Sequence, residues 1–245
     1  MKTVIIVQAR MGSTRLPGKI LKEVLNKTLL EYQIERLQRV RLADAIVIAT
    51  TTKDTDKPII NLCNNLSIAC FRCAEQDVLA RYYSAANTFR ADIIVRITSD
   101  CPIIDPQVID EVIKYYSDHY AQFDFVSNTL QRTYPRGMDT EVFPFRVLSE
   151  AFKEAKASPE REHVTPFIRR NPQRYRLGNV TCDRDLSQFR WTVDTPEDFE
   201  LIRNIITTLY PVNPYFGLKE CLTAMNKHPE WKLINSYVAH KVYGT

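Results

Sequence analysis

A short stretch near the start of the chain, QARMGSTRLPGKIL, combines cations, hydroxyls and glycines directly after the apolar run TVIIV. Its cations are Arg10, Arg15 and Lys19, and its hydroxyls are Ser13 and Thr14. A loop that follows a strand and offers backbone amides, hydroxyls and positive side chains is suited to wrap a polyphosphate from several sides. The alternative interpretation is a solvated basic loop that only joins a strand to a helix.

The loop does not match two common nucleotide-binding glycine motifs. The Walker pattern G-x-x-x-x-G-K-[ST] has four residues between its glycines, whereas five residues separate Gly12 from Gly18. Ile20 also stands where that motif has its magnesium-binding hydroxyl. The dinucleotide fingerprint G-x-G-x-x-G is absent as well. If the segment binds phosphate, it does so as a loop of another type.

Two aspartates are placed to bind a divalent metal ion. Asp100 follows the predicted strand Asp92–Ile97, and Asp194 follows a later predicted strand, Phe189–Val193. Because α/β sheets bind ligands at the carboxyl ends of their strands, we expect both carboxylates to converge on one crevice. Magnesium commonly takes one or two carboxylates together with phosphate oxygens. Each aspartate also stands two residues before a proline, so a helix cap is the alternative role for either one.

Two other acidic patterns offer a competing metal site. Residues 54–56 (DTD) and 183–185 (DRD) spell the D-x-D pattern that many glycosyltransferases use for a metal-bound sugar nucleotide. Three-letter patterns recur by chance, and neither of these follows a strong central strand. We therefore interpret both as solvated loop or cap positions.

The first half of the chain alternates strand-like and helix-like segments, which indicates parallel βαβ construction. Apolar residues recur at helical spacing between the strands, and Asp105 with Pro106 predicts the capped start of a helix that ends near His119. The predicted strands of this half are Thr3–Val7, Ala45–Ala49, Ile68–Phe71 and Asp92–Ile97.

The second half is less regular, and no repeat, low-complexity tract or glycine-rich linker divides the chain. Thr195 and Pro196 predict another capped helix start, directly after Asp194. The further predicted elements are strands at Asp124–Ser127, Thr140–Phe143 and Tyr175–Val180, and helices near Val147–Lys156 and Pro159–Arg170.

Composition narrows the class of protein. The 245 residues are 44% hydrophobic, which is enough for a sizeable core in a single domain. A formal charge of +4 is too small and dispersed to indicate a nucleic-acid surface, although it suits small anionic substrates. With no secretory signal and no membrane-length apolar stretch, we expect a cytoplasmic protein that does not bind membranes. Six cysteines are expected to be free thiols, including the Cys-x-x-Cys pair Cys70 and Cys73.

Several segments, taken together and in order, resemble a known family. After QARMGSTRLPGKIL come DVLARYYSAA, ADIIVRITSDCPIIDP, RGMDTEVF, EREHVTPFI and RWTVDTPEDFELI. They are similar to signatures of the cytidylyltransferases that activate acidic sugars such as 3-deoxy-manno-octulosonate and the sialic-acid-like nonulosonates. Within that superfamily the chain most resembles the branch named after a spore-coat polysaccharide biosynthesis protein. The similarity covers most of residues 1–205.

The resemblance implies a nucleotide-diphospho-sugar transferase fold, which is a three-layer α/β/α sandwich with a mostly parallel mixed sheet. It implies one nucleotidyltransferase domain over residues 1–245, with a nucleotide-binding half (1–120) and an acceptor and dimerisation half (121–245), in a homodimer. The metal-ligand aspartates of the family align with Asp100 and Asp194, which implies Mg²⁺ as cofactor. Nucleotide contacts are predicted at Ala9, Arg10, Gly12, Ser13, Arg15, Lys19, Thr51, Asp77, Arg81 and Ser99.

Some of these assignments have simpler alternatives in the residues themselves. Asp77 and Arg81 lie four apart on a predicted helix, where composition favours an ordinary surface ion pair. Thr51 belongs to a run of threonines that β-propensity alone explains. His163 has no local partner pattern, so a structural or interface role is expected rather than a catalytic one. Acceptor contacts are predicted at Arg132, Arg136, Asp139 and Glu141.

The predicted reaction is magnesium-assisted transfer of CMP from CTP to an acidic sugar or sugar-phosphate-like acceptor, with release of pyrophosphate, for surface polysaccharide or glycoconjugate biosynthesis. Lys19, Arg10 and Arg15 are predicted to stabilise the departing pyrophosphate, and Asp100 with Asp194 to bind the metal. Arginines 132 and 136 suit either a carboxylate or a phosphate on the acceptor. Two alternatives remain open: a glycosyltransferase with a true D-x-D site, and a nucleotide-binding protein without turnover.

Overall fold

The strands form one seven-stranded mixed sheet in the order β5-β4-β1-β6-β8-β7-β9, and only β8 runs antiparallel to the others. These features come from a computed structural model that describes residues 1–239, so the last six residues of the proposed domain lie outside it. A short antiparallel hairpin of β2 and β3 stands apart from the sheet. The strands are β1 (Thr3–Gln8), β2 (Glu23–Val24), β3 (Lys27–Thr28), β4 (Ala45–Thr51), β5 (Ala69–Cys73), β6 (Ile93–Thr98), β7 (Phe125–Ser127), β8 (Glu141–Pro144) and β9 (Leu177–Asn179).

Helices cover both faces of the sheet. Within residues 1–239 they are α1 (Leu29–Leu37), α2 (Lys57–Asn65), α3 (Val78–Thr88), α4 (Pro106–Asp118), α5 (Phe145–Glu154), α6 (Ser158–His163), α7 (Pro166–Arg169), α8 (Pro196–Leu209), α9 (Leu218–Lys227) and α10 (Trp231–Ile234).

Two apolar cores separate these helices into layers. Ile5 and Val7 of β1 pack in one core with α1, α2, α4, α8 and α9. Val4 and Ile6, which point to the opposite face because side chains alternate along a strand, pack in the other core with α3, α5 and α7. The structure is therefore the expected three-layer α/β/α sandwich, and its mostly parallel sheet gathers strand carboxyl ends along one edge.

Local capping explains where the two best-predicted helices begin. The Asp105 carboxylate accepts a hydrogen bond from the Gln107 amide at 2.9 Å, and Pro106 opens α4. The Thr195 hydroxyl accepts from the Asp198 amide at 3.3 Å at the start of α8. Side-chain caps satisfy helix N–H groups that have no partner within the helix. Both predicted helix starts are confirmed.

One predicted strand is wrong. Residues 189–193 form no strand, and Arg190 makes only an isolated bridge to Arg136. Gly137, which follows Arg136, has φ of +104°, and its backbone lies so close to Trp191 that a Cβ atom would come within 2.7 Å of the Trp191 carbonyl group. A single bridge is too short to form a ladder between strands.

Other elements also differ from the sequence predictions. The single helix expected over residues 159–170 is two short helices, α6 and α7, separated at Val164, whose φ is +73°. Helices α2, α9 and α10 were not predicted. Among residues 1–239, the helices all lack the length and apolar character that crossing a membrane requires.

Candidate active site

The loop after β1 is closed and anchored from below. The Gly18 amide donates to the Met11 carbonyl oxygen at 3.1 Å, and Gly18 has φ of +64°, a left-handed conformation that favours glycine. The Met11 amide donates to the carboxylate of Asp56 at 2.8 Å, and the Thr51 hydroxyl donates to the other oxygen of that carboxylate. Asp56 is buried rather than solvated, and it stands at the N-cap of α2, which is the other role expected for it; its carboxylate fastens the loop to the end of β4.

Lys19, in the short turn that ends the loop, brings the two candidate metal ligands together. Its Nζ atom lies 2.8 Å from Oδ1 of Asp194 and 3.5 Å from Oδ2 of Asp100. Asp100 follows β6, and its backbone carbonyl accepts from the Val193 amide at 2.8 Å, which places Asp194 beside it. The predicted convergence of both carboxylates on one crevice at the sheet edge is thus what the structure shows.

The environment keeps this cluster charged. Burial lowers the pKa of Lys19, but the negative charges of Asp100 and Asp194 raise it further, so its pKa lies above the usual value. Burial likewise raises the pKa of Asp100, but the charge of Lys19 and a hydrogen bond from the Thr98 hydroxyl at 2.6 Å outweigh it and leave that pKa below the usual range. Lys19 and Asp100 are therefore both ionised at neutral pH.

Asp194 has two further cationic partners. Arg15 of the loop approaches Oδ2 of Asp194 at 3.0 Å, and Arg190 approaches the same oxygen at 2.9 Å. Arg15 is 30% exposed, whereas Arg190 is 7% exposed and also pairs with the buried Asp198. Sequence reasoning found Arg15 but missed Arg190 and Asp198. The signal that pointed to them is the i, i+4 spacing of charges in RWTVDTPED.

The two carboxylates suit a magnesium ion whose remaining ligands are substrate oxygens. Within residues 1–239, no cluster of three or more His, Cys, Asp or Glu side chains is arranged to hold a metal by itself. Mg²⁺ is usually held by one or two carboxylates plus phosphate oxygens, and Asp100 with Asp194 supplies two hard oxygen donors that already share one cation. These residues would hold the ion, and Lys19 now occupies the charge-compensating position between them.

A cleft of about 300 Å³ adjoins the loop on its other side, lined by Arg10, Glu75, Gln76, Val78, Ser158 and Glu162. Gly12 lies beside this cleft, because a Cβ atom there would stand 3.6 Å from the Glu75 carboxylate. The Ser13 hydroxyl accepts from the Leu16 amide at 3.4 Å, within the loop. Arg10 and Gly12 are therefore on the accessible side of the loop, as a phosphate cradle requires, and Ser13 is half-buried within it.

Asp77 and Arg81 do not form the surface pair that their spacing suggested. Asp77 caps α3 through the Ala80 amide at 2.8 Å and pairs with Arg161. Arg81 is fully buried and donates to the carbonyl oxygens of residues 74 and 75, while its Nε and Nη1 atoms have no partner among the described residues. Burial lowers the pKa of Arg81, and the positive charge of Arg10 adds to that effect.

The remaining predicted nucleotide contacts are less accessible. Ala9 is buried, and its amide donates to the Ala49 carbonyl oxygen at 3.1 Å. Thr51 lies inside β4 rather than after it, with its hydroxyl on Asp56. Ser99 lies in the turn between β6 and Asp100 and is half-buried. Their contacts with a nucleotide stay predictions.

The four predicted acceptor residues separate into different environments. Arg132 forms a two-pronged ion pair with Asp139 at 2.6 and 2.8 Å, so each satisfies the other. Glu141 is buried in β8, where it accepts from Arg96 at 2.7 Å and from the Thr165 hydroxyl. Arg136 is half-buried, and its Nε atom has no partner within residues 1–239. Burial lowers the pKa of Arg136, and the nearby positive charge of Arg132 lowers it further.

Within residues 1–239, the two D-x-D segments are not arranged to bind a metal ion. Residues 183–185 are exposed, and Asp185 accepts from the Ser187 amide at 2.9 Å. In the other D-x-D segment Asp54 is exposed and Asp56 is used by the loop. All six cysteines are free thiols, as expected.

Comparisons with known proteins identify the family. A cytidylyltransferase family model matches residues 4–221. The spore coat polysaccharide biosynthesis protein SpsF of Bacillus subtilis is 31% identical over 92% of this chain and 94% of its own length. The structure of a cytidylyltransferase from Leptospira borgpetersenii is 33% identical with a TM-score of 0.92, covering 98% of this chain and all of that one.

A more distant solved structure shares the fold. It is CMP:2-keto-3-deoxy-manno-octonic acid synthetase in complex with CTP, with 17% identity and a TM-score of 0.67 over 85% of this chain and 99% of that one. The family model spans most of the present chain, and the relatives match it nearly end to end. The chain therefore belongs to the cytidylyltransferase family and is a CTP-dependent nucleotidyltransferase that transfers CMP.

Proposed function

We propose that the protein transfers CMP from CTP to an acidic sugar or sugar-phosphate-like acceptor with the aid of Mg²⁺ and with release of pyrophosphate, in the biosynthesis of a surface polysaccharide or glycoconjugate. The observation that carries this proposal is the contact of Lys19 with both Asp100 and Asp194 beneath the closed loop. The cation and the two carboxylates that suit a metal ion thus lie together at one edge of the sheet. A bound triphosphate can replace the carboxylates as the partner of the cation there.

The free protein holds its phosphate-binding cations in internal ion pairs. Lys19 and Arg15 both rest on Asp194, and both belong to the loop that would surround the triphosphate. When phosphate oxygens approach, these cations gain new anionic partners, and the two carboxylates become free for Mg²⁺. The bound metal ion would supply positive charge that neutralises and orients the phosphate oxygens. Lys19 then stabilises charge on the departing pyrophosphate, and no covalent intermediate with the protein is required.

The acceptor side is proposed to use Arg136 in particular. Arg132 is paired with Asp139, and Glu141 with Arg96, so their charges are already compensated. Arg136 is half-buried and forms no ion pair within the described residues, which leaves its guanidinium to pair with an acceptor carboxylate or phosphate. This arrangement supports an anionic acceptor. The proposed homodimer rests on the family resemblance, and the cytoplasmic location stays a prediction from the sequence.

The experiment is pyrophosphate release from each of the four nucleotides, tested with a panel of acidic sugars and sugar phosphates in the presence of Mg²⁺. Release that needs CTP and one acidic acceptor is the expected result. Lys19→Met is expected to lose about 10²-fold or more in kcat/KM, in line with the removal of a single electrostatic contact to the transition state.

Asp183→Ala is the matched control, since that aspartate is exposed and far along the chain from the loop. It should retain the wild-type rate. A severe loss in Asp183→Ala with an active Lys19→Met would overturn the proposal in favour of a glycosyltransferase with a D-x-D metal site.

A further inference from the structure

Asp194, one of the two aspartates that contact Lys19, also contacts a buried ion pair between Arg190 and Asp198. The guanidinium of Arg190 contacts Asp198 through Nε at 2.8 Å and through Nη2 at 2.9 Å. The same Nη2 atom reaches Oδ2 of Asp194 at 2.9 Å. Arg190 thus touches both aspartates at once, and Asp198 is completely buried.

Asp198 also holds the backbone that carries Asp194. Its Oδ2 atom accepts from the Asp194 amide at 2.9 Å and from the Thr195 amide at 3.1 Å. Both amides belong to the start of α8, where N–H groups lack partners within the helix. Backbone and side chain of Asp194 are consequently fixed by the same buried carboxylate, one directly and the other through Arg190.

A residue from the far end of the chain completes this group. The Asn235 side-chain amide donates to Oδ1 of Asp198 and to the Arg190 carbonyl oxygen, both at 2.9 Å. Asn235 follows α10 and is 6% exposed. Its two bonds tie the segment after α10 to the residues behind Asp194.

The three cationic side chains that contact Asp194, Lys19, Arg15 and Arg190, differ in whether they can move away from it. Lys19 and Arg15 lie on the phosphate loop and, in the proposed function, turn to the triphosphate. Arg190 cannot follow them without breaking both contacts to Asp198, which would leave a buried charge without its partner. After nucleotide binding, Arg190 is therefore the cation that remains on Oδ2 of Asp194.

We propose that Arg190, Asp198 and Asn235 form a positioning unit that fixes the Oδ2 side of Asp194 and presents Oδ1 to the divalent cation once Lys19 has moved. This inference rests on the proposed function, and it assigns no direct contact with substrate to these residues. Groups of this kind, which orient a metal ligand from outside, affect metal affinity by about 10- to 100-fold when they are changed.

The test measures affinity for Mn²⁺, a probe for the divalent site, by the electron paramagnetic resonance signal of the free ion in the presence of CTP, relative to the same CTP concentration without protein. Arg190→Gln removes the charge, and Arg190→Lys retains it but lacks the planar guanidinium that pairs with Asp198 through Nε and Nη2 while Nη2 also reaches Asp194. Arg190→Lys keeps the test valid should Arg190→Gln fail to fold. Both variants should bind Mn²⁺ at least about 10-fold more weakly than wild type, and Asn235→Leu should show a smaller loss in the same direction.

Asp124→Asn serves as the matched structural control. Asp124 is likewise buried and accepts hydrogen bonds from two arginines, Arg146 and Arg176, but it precedes β7 at the opposite edge of the sheet. This variant should lower the melting temperature without changing Mn²⁺ affinity. If Arg190→Lys and Arg190→Gln lower only the melting temperature and bind Mn²⁺ as wild type does, the positioning role is overturned while the proposed function stands.

The wild-type protein separates the two levels of the hypothesis. Binding of Mn²⁺ that depends on CTP supports the proposed function, and its loss in the Arg190 variants supports the positioning unit. A wild-type protein that binds no Mn²⁺ with CTP would overturn the proposed function and this inference with it.

Discussion

Replacing Lys19 by methionine should make the free protein respond to magnesium in a way that wild type does not. Lys19 is 14% exposed and is the cation that Asp100 and Asp194 share. Methionine keeps most of the side-chain volume but removes the charge. The two carboxylates then face each other with less compensation, and Mg²⁺ can take the vacated position.

The size of the effect follows from burial and remaining partners. Removing one partner of a fully buried ion pair costs about 3 to 5 kcal/mol. The two aspartates are 22% and 21% exposed, and Asp194 keeps Arg15 and Arg190. We therefore expect a loss of about 2 kcal/mol in the free energy of unfolding, or about 4 to 8 °C in melting temperature. Magnesium at about ten times its Kd should restore about 1.4 kcal/mol.

The assay is thermal unfolding of Lys19→Met and wild type with and without Mg²⁺, in the absence of nucleotide. Lys27→Met is the control, because Lys27 is also partly buried and paired, with Glu35 and Tyr210, but lies away from the two aspartates. Lys27→Met should be destabilised and should not respond to Mg²⁺. Equal responses of Lys19→Met and Lys27→Met to Mg²⁺ would refute the argument that Lys19 occupies the place of a metal ion.

Three further outcomes are expected. Asp100→Asn and Asp194→Asn should each lower turnover by about 10²-fold or more while the circular dichroism spectrum stays native, and wild-type rates in Mg²⁺ would place the metal elsewhere. Gly137→Ala should cost about 2 to 4 kcal/mol in chemical denaturation, because its φ is +104° and a Cβ atom would lie 2.7 Å from backbone; an unchanged midpoint would contradict this. Burial raises the pKa of Asp124, but hydrogen bonds from two arginines lower it below the usual range. The ionised Asp124 carboxylate therefore stabilises the folded protein above pH about 4, and this stabilisation is lost as the pH falls through the pKa of Asp124 in the folded state. The melting-temperature gap between wild type and Asp124→Asn should therefore narrow in acid, and a gap that widens would show the opposite shift.

Elements with local signals could be predicted from the sequence. The starts of α4 and α8 follow from Asp105 with Pro106 and Thr195 with Pro196, since a cap and a first-turn proline act within one helical turn. The predicted strand over residues 189–193 failed because a strand needs a neighbour to pair with. That neighbour, at Arg136, lies more than fifty residues away along the chain and departs after one bridge.

The site shows the same limit. Strand ends and charge types pointed to Lys19, Asp100 and Asp194, but the contact between Lys19 and Asp194 spans 175 positions of the chain. The burial of Asp56 under the loop depends on packing that its D-x-D pattern does not reveal. The contact of Asn235 with Asp198 likewise joins segments that are distant along the chain. The residue types and their positions predicted the kind of chemistry, whereas contacts between distant segments determine which charged side chains are already paired.

The most direct test of the proposed reaction follows the label of CTP with the purified protein, Mg²⁺ and the acceptor that the pyrophosphate screen identifies. With the label in the α-phosphate, radioactivity should appear on the acceptor, and with the label in the γ-phosphate it should appear in pyrophosphate. Both results together are what attack on the α-phosphorus requires. Label from the γ-phosphate on the acceptor, or in orthophosphate formed without pyrophosphate, would contradict CMP transfer by this site.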